Sequence, residues 1–198
     1  MSLTDWLWAF QIKRNLGDTR TLPFQAMSAP KPEATIVVLL GGLWGSDGWV
    51  TSSGIVTLAR MLEPFGKVQV LTWDKFHEAD YLKLPRTAAG KVILIGYSGG
   101  GSRATWLAAL TGSPIDLLIA IDPSPSRQVR SLTPNVKRAI CFHNRNPMMP
   151  SIYGSLGGGR LVGIKDITTY EISQQHLLVQ FDGDIREKVI AAVKAATR

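Results

Sequence analysis

Six apolar, β-branched runs recur along the chain and leave few folds open to it: ATIVVLL (34–40), VQVLT (68–72), KVILIG (91–96), DLLIAI (116–121), VKRAICF (136–142) and ITTYEIS (167–173). A strand with one face in water alternates apolar and polar residues. The first five runs are instead nearly continuous, which predicts strands covered on both faces, as in a parallel sheet. Helical patterns lie between several of them. SSGIVTLARMLEPFG sets Ile55, Leu58, Ala59 and Leu62 on one face and stops at Pro64 and Gly66, and SRATWLAALTG stops at Gly112. The last segment, DGDIREKVIAAVKAATR, opens with an expected capping box of Asp184 and Glu187, then spaces Ile185, Val189, Ile190 and Val193 for packing onto a sheet. This alternation predicts an α/β chain: a three-layer α/β/α sandwich around a mostly parallel sheet of six or seven strands.

With 198 residues the chain fits one domain, able to bury roughly 70% of the surface its unfolded form exposes. That domain is expected over residues 34–198. Residues 1–33 end in the proline-punctuated SAPKPEA and carry Trp6, Trp8 and Phe10; they are expected to form an N-terminal extension packed on the domain, with a membrane-surface foot as the alternative. Apolar residues make up 45% and charged residues 19%, too hydrophobic a balance for a disordered chain. The longest apolar stretches fall far short of the ~20 residues of a membrane helix. The single cysteine, Cys141, leaves no intrachain disulfide. In MSLTDWLWAFQIKR an acid precedes the apolar patch and bases follow it, the reverse of a secretory signal, so a cytoplasmic location is expected. The net charge of +7 comes from scattered bases, which argues for a generally basic surface with weak contact to anionic membranes and against a nucleic-acid site. Nothing in the sequence sets the oligomeric state.

In an open α/β sheet the chemistry sits beyond the carboxyl ends of the strands. Gly96-Tyr97-Ser98-Gly99-Gly100 occupies such a place, with a strand before it and a helix after it. The form Gly-x-Ser-x-Gly in that context is a nucleophile elbow, where glycines clear room for a sharp strained turn that lifts the serine hydroxyl above the sheet edge. The competing reading is a glycine-rich turn without chemistry. Phosphate cradles fit poorly: Gly100-Gly101-Ser102 lacks the Walker lysine, and Ser98 stands where the dinucleotide pattern needs its second glycine.

A serine hydroxyl needs a base, most often histidine. His176 directly follows the sixth run and is the expected base; His143, after the fifth, is the alternative and otherwise a pocket residue; His77 lies in a polar crossover. The base needs a carboxylate partner. Asp122, directly after the fourth run, lies on the correct edge, although it could merely cap the next turn. The more usual place for the acid follows the fifth run, where Asn144 and Asn146 stand. Either Asp122 is the acid or the triad is incomplete. The oxyanion requires two backbone amides. Gly99 would supply one, and Leu43, with Gly42 as its neighbour, the other from the turn LLGGLWG.

Taken together, LLGGLWG, GYSGG, AIDPS and the late QQHLL resemble the α/β-hydrolase superfamily over roughly residues 34–198, in particular its small esterase, lipase, cutinase and thioesterase branches. The resemblance implies acyl transfer from a small-molecule ester or thioester through a serine-bound intermediate, with no metal or organic cofactor. It also implies Trp44, Tyr97, Phe142, Met148 and Tyr153 as walls of an acyl pocket. The long loop 143–163, with Gly157, Gly158 and Gly159, either covers that pocket or packs on the core. Two rival functions stand beside the hydrolase: a non-catalytic binding protein of the same fold, suggested by the asparagines, and a lipid-acting protein at a membrane surface.

Overall fold

Where the chain runs apolar and β-branched it forms strands, and their burial reflects how many neighbours each has. The computed structural model describes residues 34–41, 52–72, 90–111, 114–125, 131–145, 148–151 and 154–198. The strands are β1 (Ala34–Leu40), β2 (Lys67–Thr72), β3 (Lys91–Tyr97), β4 (Leu117–Ile121), β5 (Ala139–Asn144), β6 (Met148–Ser151), β7 (Gly154–Leu156) and β8 (Ile167–Ile172). Six of them form one sheet in the order β2-β1-β3-β4-β5-β8, every pair parallel. β1, β4 and β5 are buried along their whole length. β2 departs from the expected double burial, because it is an edge strand: Val68, Val70 and Thr72 are buried while Lys67 is exposed. β5 starts at Ala139 rather than at Val136, which makes only an isolated bridge to Ile115.

Side-chain alternation along the central strands divides the interior in two. Ile36, Val38 and Leu40 of β1 join Ile55, Leu58, Ala59 and Leu62 of α1 (Ser53–Leu62) in one cluster. Ile185, Val189, Ala192 and Val193 of α4 (Gly183–Ala196) complete it. Val37 and Leu39 point the other way, into a cluster with Ala104, Leu107 and Ala108 of α2 (Gly99–Thr111). Helices therefore cover both faces, giving three layers. A fully buried leucine such as Leu94 anchors this arrangement, and its truncation to alanine costs about 2–5 kcal/mol.

Two local expectations are corrected. α4 is capped by Asp182, whose side chain accepts from the Ile185 amide at 3.0 Å, rather than by a box opening at Asp184. The loop expected over 143–163 begins inside β5 and contains an antiparallel β6–β7 hairpin with a register shift between Met148 and Pro150. A short helix, α3 (His176–Val179), follows β8. Residues 1–33 and His77 lie outside the described residues.

Candidate active site

Sheet order brings the carboxyl ends of β1, β3, β4, β5 and β8 into a row, so the residues just beyond them become neighbours despite long separations in sequence. Tyr97 pairs with Ile121 in the register, and Ser98 and Asp122 are the next residues along their strands. Both leave the sheet with positive φ, 53° and 42°, the left-handed backbone that costs a side-chain-bearing residue about 1–2 kcal/mol. The Ser98 turn is held closed: its amide donates to the Ile121 carbonyl, and its own carbonyl accepts from the amides of Gly101, Ser102 and Ser124. A Cβ on Gly96 would lie 2.3 Å from the Gly100 oxygen, and one on Gly100 2.2 Å from the Leu39 oxygen. Steric clearance, as the Gly-x-Ser-x-Gly pattern suggests, decides both positions.

His176 Nε2 lies 2.8 Å from Ser98 Oγ, and its Nδ1 lies 2.7 Å from Asp122 Oδ2. All three residues are buried, Asp122 completely and Ser98 to 6% exposure. Asp122 is not left as a bare buried charge. Oδ2 also accepts from Asn144 Nδ2 at 3.1 Å, and Oδ1 accepts from the Gly158 amide at 2.7 Å. Asn144 in turn donates to the Gln174 carbonyl at 2.7 Å, linking the acid to the turn that carries His176.

Est1E from Butyrivibrio proteoclasticus superposes on this framework with a TM-score of 0.51 at 15% identity, covering 84% of this chain and 87% of that one. A structure from work on LipS and LipT, two metagenome-derived lipolytic enzymes, gives 0.54 at 13% identity, covering 85% and 96%. Esterase B from Lactobacillus rhamnosis gives 0.52 at 14% identity, covering 88% and 79%. This is the α/β-hydrolase fold. No family model matches the chain, and no curated protein matches it in sequence.

Within the α/β-hydrolase fold two expected pocket walls turn out to be core residues. Tyr97 shares a face of β3 with Ile93 and Ile95, and its ring stacks on His176 with centroids 5.2 Å apart. Its hydroxyl donates to the His176 carbonyl at 2.7 Å, and burial, with the charge of Asp122, holds that hydroxyl's pKa well above 10.0. Tyr97 thus braces the imidazole from below. Phe142 sits with Ile140 in the same cluster and stacks on Tyr170. Met148 falls on β6. Gly42, Leu43, Trp44, Tyr153 and Asn146 lie outside the described residues.

Gly41, the last described residue after β1, comes so close to Ser98 that a Cβ there would lie 2.7 Å from Ser98 Cβ. Gly99 opens α2, at the end where the first amides of a helix lack an intrahelical carbonyl. Among the described residues, no three His, Cys, Asp or Glu side chains converge as a metal site requires. Sequence reasoning passed over Asn144 and Gly158 as partners of Asp122. Asn144 was marked in the sequence only as an uncharged residue at the usual place of the acid, not as a donor to Asp122.

Proposed function

We propose that the protein is a serine hydrolase that cleaves a carboxylic ester or thioester through an acyl-enzyme intermediate. The carrying observation is the unbroken line from Ser98 Oγ through both nitrogens of His176 to Asp122. Asp122 keeps the imidazole proton on Nδ1, leaving Nε2 free to accept the Ser98 proton. Ser98 Oγ then bonds to the substrate carbonyl carbon, and the carbonyl oxygen, now negative, is met by the Gly99 amide. His176 returns the proton to the departing alcohol or thiol. A water molecule repeats the sequence in reverse, releasing the carboxylic acid and restoring the Ser98 hydroxyl. Relatives in fold named esterases and lipolytic enzymes agree with this substrate class. The asparagine that argued for a non-catalytic protein donates to Asp122 instead, which supports the hydrolase reading.

The test uses a fluorophosphonate probe, which should label the wild-type protein at Ser98 and leave Ser98→Ala unlabelled. A series of p-nitrophenyl esters and acyl thioesters of increasing chain length then defines the acyl group and the leaving group. Folded wild-type protein that is neither labelled nor active on any member of the series overturns the proposal.

A further inference from the structure

His143 is buried and takes no part in the line described above, yet it is fully engaged. Alternation along β5 sends Ile140 and Phe142 into one cluster and Cys141 into the other, and His143 shares the side of Cys141. Both reach the same acceptor. His143 Nδ1 lies 3.2 Å from the Gly159 carbonyl oxygen, and Cys141 Sγ lies 3.7 Å from it. Arg160 Nε, which can only donate, points at His143 Nε2 at 3.0 Å. That nitrogen must therefore be the acceptor, and the proton of the ring sits on Nδ1, directed at Gly159. Glu171 Oε2 stands 3.9 Å from the same Nε2, too far to bond, and Arg145 and Arg160 hold its two oxygens.

The Gly157–Gly159 segment lies between this grip and the acid. The Gly158 amide donates to Asp122 Oδ1, and the Gly159 amide donates to the Pro123 carbonyl at 2.7 Å. Gly157 and Gly158 have φ of +79° and +81°, and a Cβ on Gly157 would lie 2.3 Å from Asp122 Oδ1. Such a glycine run has little stiffness of its own. What keeps its amide on the carboxylate has to come from outside.

We propose that His143 is a positioning residue for Asp122: by holding the Gly159 carbonyl from the β5 side, it keeps the Gly158 amide on Asp122 Oδ1 and so aims Oδ2 at His176. The inference rests on the hydrolase reading of the site. His143→Leu removes the donor at similar bulk. Its kcat on a p-nitrophenyl ester should fall about 10–100-fold, the scale of a small misplacement in a catalytic group, with KM within about twofold. His143→Asn can put an amide N–H where Nδ1 was and should restore kcat to within about threefold of wild type. In an Asp122→Asn background the leucine substitution should have almost no further effect, because the two act in series. A folded His143→Leu protein with unchanged kcat, a full additive loss in the Asp122→Asn background, or no rescue by asparagine each overturns the proposal. Should His143→Leu not fold, Arg160→Leu replaces it, at a side chain 63% exposed. Freeing Nε2 should lower kcat several-fold, and an unchanged kcat overturns the proposal. The low-field NMR proton on His176 Nδ1 separates this failure from failure of the hydrolase reading. Without any esterase activity, that proton should still be sharp in wild type and His143→Asn and broadened in His143→Leu, and equal sharpness in all three overturns the inference.

Discussion

Asp122 concentrates the argument at the scale of one residue. Its carboxylate is fully buried and meets three donors, from His176, Asn144 and Gly158, so its charge is held by directed bonds rather than by water. Asp122→Asn keeps the shape but turns an N–H against one of those donors and favours the wrong imidazole tautomer. Its kcat on a p-nitrophenyl ester should drop about 10⁴-fold with the fold intact by circular dichroism. A loss below about tenfold would mean that the imidazole is oriented by something else. That Ser98, Asp122 and His176 would come together was legible because each lies just beyond a strand, and strand ends in a parallel sheet share one edge. Tyr97 and Phe142 were misread because residue type does not say which face of a strand a side chain takes, and here both turn into the core. Asn144 and Gly158 lie 22 and 36 residues from Asp122, with no local pattern to announce the pairing.

For the strand-to-helix turn, the decisive quantity is backbone clearance. Gly100→Ala would drive a methyl to 2.2 Å from the Leu39 oxygen, a main-chain atom in the middle of the sheet that cannot yield. A destabilisation on the order of 3 kcal/mol is expected in thermal melts, with little probe labelling at Ser98 in what folds. Gly183→Ala, where the added methyl meets nothing within 4 Å at the start of α4, should keep or slightly raise the melting temperature and leave labelling unchanged. Equal melting of the two variants would refute the clearance argument. Helix faces were readable down to individual residues in α1, since a 3.6-residue period admits one solution there. The α4 cap falls on Asp182, whose other oxygen accepts from Gln174 beyond β8, a tertiary contact that the DGD stretch does not encode.

Across the whole molecule, burial makes the fold sensitive to alkali. Burial pushes the Cys141 thiol up to about 11, from 9.0, and raises the Tyr97 hydroxyl well above 10.0. The folded chain keeps protons that the unfolded chain gives up, so Cys141 lends its stability in full below about pH 9 and loses it as pH climbs through 9 to about 11, while the contribution of Tyr97 begins to fall only above pH 10. The melting temperature should hold near neutral pH and fall above pH 9, and Cys141→Ala should flatten the first part of that fall. An identical alkaline slope in the variant would assign the effect elsewhere. Cys141 should also resist thiol reagents until the protein unfolds. Among the described residues no helix is long and apolar enough to cross a membrane. Sheet membership was legible from the apolar runs, but which strands lie at the rim was not, since that depends on where the helices finally settle. β8 occupies one rim, bonded on a single side within the main sheet, and leads into the turn carrying the His176 imidazole, 78 positions after the Ser98 hydroxyl that it meets. Whatever loosened that outermost strand from β5 would therefore part the two side chains while leaving the pairings among the other five strands intact.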